Sequence, residues 1–239
     1  MTHGLAKTFL EELMKRTAVI AVLLGLSISI SAQGPKPHGE HEHHAVQVSA
    51  DQVWNELAAG NRRFAEGKSR PADYVARREQ LVKGQHPRVA VLSCSDSRVP
   101  PELLFDQSLG DLFVVRTAGN SADAIGIGSL EYAVEHLGST VLVVLGHQSC
   151  GAVSAACSGS KMPTPSLEAV VLPVQQSCAA AKQRKGGDVI DFAVHDHVHQ
   201  VAQALLAKSA VLKHAVAEGK LTIVEAYYRL DSGLVTRLH

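Results

Sequence analysis

Five residues of this 239-residue chain have the types and spacing for chemistry: Cys94, Asp96, Arg98, His147 and Cys150. Thiolate sulfur and imidazole nitrogen are donors that zinc favours. Two Cys and one His would leave a tetrahedral ion one open position, as in catalytic rather than structural sites. Cys94 alone proves nothing, because free Cys is commonly a small buried hydrophobe. His147 and Cys150 form His-x-x-Cys, a spacing frequent by chance, but Gly146 and Gly151 flank the pair. Glycine there lets backbone and metal approach closely. Two thiolates would balance Zn2+, and such a centre serves attack on a neutral molecule once the pKa of its water is brought towards neutrality. Asp96 is two residues after Cys94, within reach of the metal, and Arg98 two further on is placed to hold that carboxylate in a bidentate pair. The plainer alternative is an Asp–Arg pair that only ties down a loop.

Elements must bring these residues together. VAVLSC at 89–94, LFVVR at 112–116 and TVLVVLGH at 140–147 are short continuous apolar runs, the texture of parallel strands buried on both faces. Residues 51–66 carry Val53, Leu57, Ala58, Phe64 and Ala65 at helical spacing, with Ser49 as N-cap. Further helices are predicted over 74–83, 129–138, 166–183 and 188–217. A last strand is predicted over 221–230, with Asp231-Ser232-Gly233 folding it back on 234–238. Strands alternating with helices predict an α/β domain with a mainly parallel central sheet flanked by helices. Cys94 and His147 then fall at the carboxyl ends of strands, the edge where open parallel sheets bind ligands.

Composition narrows the function classes. Apolar residues make up 46% of the chain, enough for a core, and 23 basic residues balance 23 acidic ones. That balance gives no electrostatic reason to expect nucleic acid as a partner. Lys15 and Arg16 precede an apolar run from Thr17 to Ile30, followed by the small residues Ser31 and Ala32. The run is too short for a permanent membrane span and fits a cleavable signal over 1–32, cut near Ala32–Gln33. Export to the periplasm or beyond is the expectation. Residues 33–48 form a Pro- and Gly-containing linker holding His38, His41, His43 and His44. A metal-collecting tail is the sharper reading. A polar spacer is preferred, because a flexible tail fixes no coordination geometry. The remaining 49–239 is expected to be one catalytic domain.

CSDSRV at 94–99, together with GHQSCGAV at 146–153, resembles the paired signature of the β-carbonic anhydrases. The likeness extends through ELAAGNRRF at 56–64, FVVRTAGN at 113–120, GSLEYAV at 128–134 and YYRLDSG near the end. It implies one zinc per chain on Cys94, His147 and Cys150, and reversible hydration of carbon dioxide to bicarbonate and a proton. Asp96 paired with Arg98 would orient the attacking hydroxide. One subtype of the family carries a Trp three residues before the first ligand, in a separate bicarbonate pocket. Here that position is Val91, while Gln85 matches the substrate-facing Gln of the plant-like, open subtype. Phe113 and Tyr132 fall at apolar pocket positions, and Ala118 and Gly119 at pocket positions after the second strand, Ala118 with a small side chain that widens it. The resemblance also implies a homodimer or tetramer of dimers, with the site at the subunit boundary and the first helix draped over its partner. Packing of that helix on its own domain is the competing reading.

Cys157 and Cys178 are left over as a disulfide or as buried thiols, and thiols are preferred because nothing in the sequence sets their distance. His195, His197 and His199 alternate within a predicted helix and cannot share one face. A surface location is preferred over a second metal site, with proton shuttling as a further use. Two rivals keep the zinc: hydrolysis of CS2 or COS by an anhydrase-like site, and a non-enzymatic exported zinc-binding protein. A cysteine phosphatase fails, because it needs Cys-x5-Arg and Cys94 to Arg98 is Cys-x3-Arg.

Overall fold

The computed structural model describes residues 48–238; the expected signal segment and the His-rich linker up to residue 47 lie outside the described residues. Helix α1 (Ala50–Ala65) starts where expected, because Ser49 and Gln52 cap each other reciprocally. Its Val53, Trp54 and Leu57 are buried in its own chain against Phe105, Leu104 and Val235. Asn61, one turn on, donates to the carbonyls of Leu104 and Gly233 and accepts from the N–H of Val235. Those bonds satisfy a buried amide and tie the helix to its own domain. Helix α2 (Tyr74–Gln80) is shorter than predicted and buries no residue.

The apolar runs form the centre. Strands β1 (Val89–Cys94), β2 (Leu112–Thr117), β3 (Val141–His147), β4 (Thr222–Tyr228) and β5 (Val235–Arg237) make one sheet in the order β2-β1-β3-β4-β5. All neighbours are parallel except β4 and β5, so the sheet is mainly parallel, as predicted. Every residue of β1 and β3 is buried, because helices cover both faces. Val89, Val91, Val143 and Leu145 point to the face covered by α1 and the short α3 (Pro101–Leu104). Ala90, Leu92, Leu142 and Val144 point to the other face. There they meet α4 (Ala124–Glu135), α5 (Gly151–Ser158), α6 (Pro165–Val171), α7 (Gln175–Ala181), α8 (Val189–Lys208) and α9 (Ala210–Ala217). Among the described residues no helix is long and apolar enough to cross a membrane.

Three departures from the sequence reading have local causes. The run 166–183 breaks into α6, a 3-10 turn at Leu172–Val174 and α7, because Pro173 interrupts it. The run 188–217 breaks at Ser209, which ends α8 and caps α9 through its hydroxyl. Helices α3 and α5 are short and lack an amphipathic period long enough to read. Cys157 and Cys178, expected as thiols, form a disulfide with Cα atoms 5.1 Å apart. The Pro173 turn lets α7 pack against α5, a pairing that the separation along the chain does not encode. The three histidines of α8 separate, and His197, expected at the surface, is buried. It falls in step with the apolar stripe Ala193, Val194, Val201 and Leu205. His199 is paired with Glu225, and His195 sets its ring edge against Tyr227.

Candidate metal centre

The strand order reverses between β1 and β3: the chain leaves β1 for β2 on one side and returns to β3 on the other. A crevice opens at such a reversal, outside the carboxyl ends of the two strands. Cys94 ends β1 and His147 ends β3. Ser93 lies opposite Leu145, so both residues leave the sheet at nearly the same level. Ser149 then takes a left-handed conformation, φ 56°, which turns the chain so that Cys150 caps α5 and faces the crevice. One Sγ from each cysteine and one imidazole nitrogen of His147 all lie within 4.8 Å of one another, and the three residues are buried.

The donor set fits a zinc ion. The two sulfurs are 4.0 Å apart; two thiolates on one tetrahedral zinc at about 2.3 Å each would be roughly 3.8 Å apart. His147 approaches the carbonyl of Gln148 at 2.9 Å with Nδ1. That contact makes Nδ1 the protonated nitrogen and leaves the lone pair on Nε2. Nε2 is buried without a hydrogen-bond partner, an arrangement that a metal bond satisfies. The N–H groups of Asp96 and Gly119 point at Cys94 Sγ from 3.4 and 3.3 Å. The Cys150 thiol, then these donors and His147, hold Cys94 well below the usual thiol range against the opposing effect of burial. Cys150 is pushed up by the same contact and by burial. Binding a metal takes both cysteines as thiolates and displaces whatever proton the pair still holds.

Asp96 is clamped by Arg98. Oδ1 accepts from the backbone N–H and Nε of Arg98, both at 2.9 Å, and Oδ2 accepts from Nη2 at 2.7 Å. The Arg98 hydrogen bonds hold the carboxyl well below the ordinary carboxylate range. Oδ2 also lies 4.0 Å from His147 Nε2, which places the carboxylate beside the metal position.

Gly119 has φ 71°, and a Cβ there would meet the Ala152 Cβ at 3.0 Å. Only glycine brings the turn and its N–H that close to α5 and Cys94. Gly146 needs its small size for a different reason than metal approach: a Cβ would strike Val198 and Val194 of α8. Gly151 faces open space, so close approach does not explain it.

Of the expected pocket residues, Ala118 and Gly119 lie directly after β2 beside Cys94. Gln85, Phe113 and Tyr132 do not join them within the chain. Phe113 lies opposite Ala90, four residues before Cys94, or about 13 Å along the sheet. Tyr132 stacks near Phe113, and exposed Gln85 precedes β1 at the opposite edge. Two residues without an assigned role also hold the site. Arg116 donates to the carbonyls of Cys94 and Asp96, and a charged residue near the end of an otherwise apolar strand was the available signal. Gln148 exchanges hydrogen bonds with Asp231 and receives no warning from pattern.

A family model described as carbonic anhydrase matches residues 89–235. The chain is 41% identical over 185 residues to carbonic anhydrase 2 of Mycobacterium tuberculosis, covering 76% of this chain and 89% of that protein. It is 39% identical over 187 residues to a carbonic anhydrase of Mycolicibacterium smegmatis, covering 77% and 90%. Among solved structures, the β-carbonic anhydrase CcaA has a TM-score of 0.62 at 27% identity, over 77% of this chain and 87% of that one. With these matches running through both metal-ligand motifs and the sheet that joins them, the chain belongs to the β-carbonic anhydrase family.

Proposed function

We propose that the chain catalyses the reversible hydration of carbon dioxide to bicarbonate and a proton, with one zinc held by Cys94, His147 and Cys150. The convergence of those three donors beside an Arg98-clamped Asp96 carries the reading. When bound, zinc supplies a Lewis acid that brings the pKa of a water near neutrality and so provides a nucleophile at ordinary pH. The chain's own residues set direction and charge. Arg98 keeps Asp96 ionised and its plane fixed, so Oδ2 can only accept a hydrogen bond. Once the water has lost a proton to solvent, Oδ2 would accept from the O–H of the hydroxide that remains and aim that oxygen's free lone pair at the carbon of CO2, giving bicarbonate. The N–H groups of Asp96 and Gly119 take up part of the charge on Cys94, and Cys150 sits at the positive end of α5.

The Asp96–Arg98 clamp, with Val91 and Gln85 in sequence, supports the open form of the site. The pocket is completed by a second copy: Ala118 and Gly119 come from the zinc-holding chain, and Gln85, Phe113 and Tyr132 from its partner in a dimer. The distance of Phe113 from Cys94 along its own sheet and the 48% exposure of Tyr132 support that division. The charged, apolar and small-residue order of 1–32 supports export to the periplasm or beyond, where a disulfide such as Cys157–Cys178 persists. An N-terminal mass beginning near Gln33 on protein from the native host would establish the cut.

The deciding experiment is stopped-flow CO2 hydration with zinc content measured on the same sample. One tight zinc per chain and fast hydration, both lost in Cys150→Ser, is the expected result. Tight zinc without hydration would overturn the enzymatic reading and leave a zinc-binding protein.

A further inference from the structure

The buried face of α8 is apolar except at His197, which is 1% exposed. A polar ring in such a stripe is unfavourable unless its hydrogen bonds are met. Packing alone would be served better by leucine. His197 Nε2 lies 2.9 Å from the Gly119 carbonyl and 3.2 Å from Ser121 Oγ. The carbonyl can only accept, so Nε2 carries the proton. Burial lowers the pKa of the imidazole, which keeps it neutral. Nδ1 is buried with no hydrogen-bond partner, so the whole polar use of this ring is directed at the Gly119–Ser121 turn.

That turn supplies one of the N–H groups on the Cys94 sulfur. Gly119 and Asn120 are consecutive left-handed residues, φ 71° and 45°, a conformation held only when its surroundings determine it. The N–H of Gly119 donates to Cys94 Sγ, and the carbonyl of the same residue accepts from His197. One glycine thus links a buried histidine on α8 to a thiolate at the end of β1.

We propose that His197 is a positioning residue for the metal centre: by holding the Gly119 carbonyl, it keeps the Gly119 N–H on the Cys94 sulfur and so strengthens zinc binding. The proposal rests on Cys94 being a zinc ligand. It extends that site by one residue that touches neither metal nor substrate, and it gives a buried histidine a use that neither surface exposure nor a second metal site explains.

The test uses the full chain with His197→Leu, which fills similar space without a donor, and His197→Gln, whose amide N–H reaches where Nε2 was. Zinc affinity is read by competition with a chromophoric chelator. The sulfur-to-metal charge-transfer band is read after substitution with cobalt(II). The Leu variant should bind zinc about 10- to 100-fold more weakly, the usual loss for a group that supports a ligand. Its band should move to longer wavelength, because a thiolate without its N–H donor gives up electron density more readily. The Gln variant should recover most of both. A Leu variant with wild-type affinity and an unmoved band would overturn the positioning role, whatever its melting temperature. A measurement on wild-type protein covers the case in which Leu fails to fold. The His197 Nε2–H proton resonance should shift between zinc-bound and zinc-free protein, and an unmoved resonance would overturn the proposal. Wild-type protein that holds no tight zinc would instead overturn the metal reading itself, a separate result.

Discussion

Helix α5 begins at one cysteine pair and ends near another, and the two pairs have opposite fates. Cys94 and Cys150 stand 4.0 Å apart with no bond between their sulfurs, whereas Cys157 and Cys178 are bonded. All four are buried, so burial does not distinguish them. Their neighbours do. The first pair meets two N–H donors, an imidazole with an unpartnered nitrogen and a clamped carboxylate. The second joins α5 to α7 inside an apolar core that also holds Val171, Val174 and Ala181, side chains with nothing to offer a metal. Sulfur takes the chemistry of what surrounds it: polar donors at the sheet edge keep thiolates apart and ready for a cation, and an apolar helix interface leaves them only each other.

The sharpest break in that comparison is loss of the metal pair. Cys94→Ser should release zinc and lower CO2 hydration on the order of 10^4-fold or more, since the pKa of water is then no longer lowered; metal analysis beside stopped flow reads both. Retained zinc with full activity would remove Cys94 from the ligand set. Next comes Arg98→Lys, which loses the planar fork that holds Asp96. Hydration should fall about 10- to 100-fold with zinc still near one per chain. Zinc lost in proportion to activity would make the clamp a ligand support instead.

For the second pair, the Cys157→Ser/Cys178→Ser double variant should lower unfolding stability by about 3 kcal/mol, as expected for a loop of this length. Denaturant melts measure it. Zinc content and hydration per folded chain should stay unchanged, and a parallel loss of zinc would show that the disulfide also braces Cys150. The smallest effect concerns the ionic strap between Gln148, Asp231 and Arg229. Arg229, then Gln148, lowers the Asp231 carboxyl to about 2. A depressed carboxylate stabilises above its unfolded pKa, about 3.9, and loses that contribution as pH falls through its folded value. The melting-temperature difference between wild type and Asp231→Asn should therefore be constant above about pH 4 and vanish only towards pH 2. A difference that fades near pH 6 would assign it to another group.

The site was legible in parts. VAVLSC and TVLVVLGH read as buried strands because both faces of a central parallel strand need apolar residues, and that alone put Cys94 and His147 at carboxyl ends. The Asp96–Arg98 pair was legible because both residues lie in one short loop. Arg116 showed only as a charge near the end of an apolar strand and His197 not at all, since each acts through a backbone carbonyl that only the folded chain brings within reach. The Gly119 role was half legible: the motif suggested a pocket lining, and the structure adds its N–H on sulfur.

By itself, then, the sequence determined the local elements, their caps and the chemical types at their ends, because propensity, burial period and short-range spacing are written residue by residue. Tertiary structure decided which ends meet. The strand order set β3 beside β1, bringing together sulfurs 56 positions apart. The Pro173 turn folded α7 onto α5 and joined Cys157 to Cys178. Both pairings depend on how whole faces bury against each other, a property of the packed chain that no single segment carries.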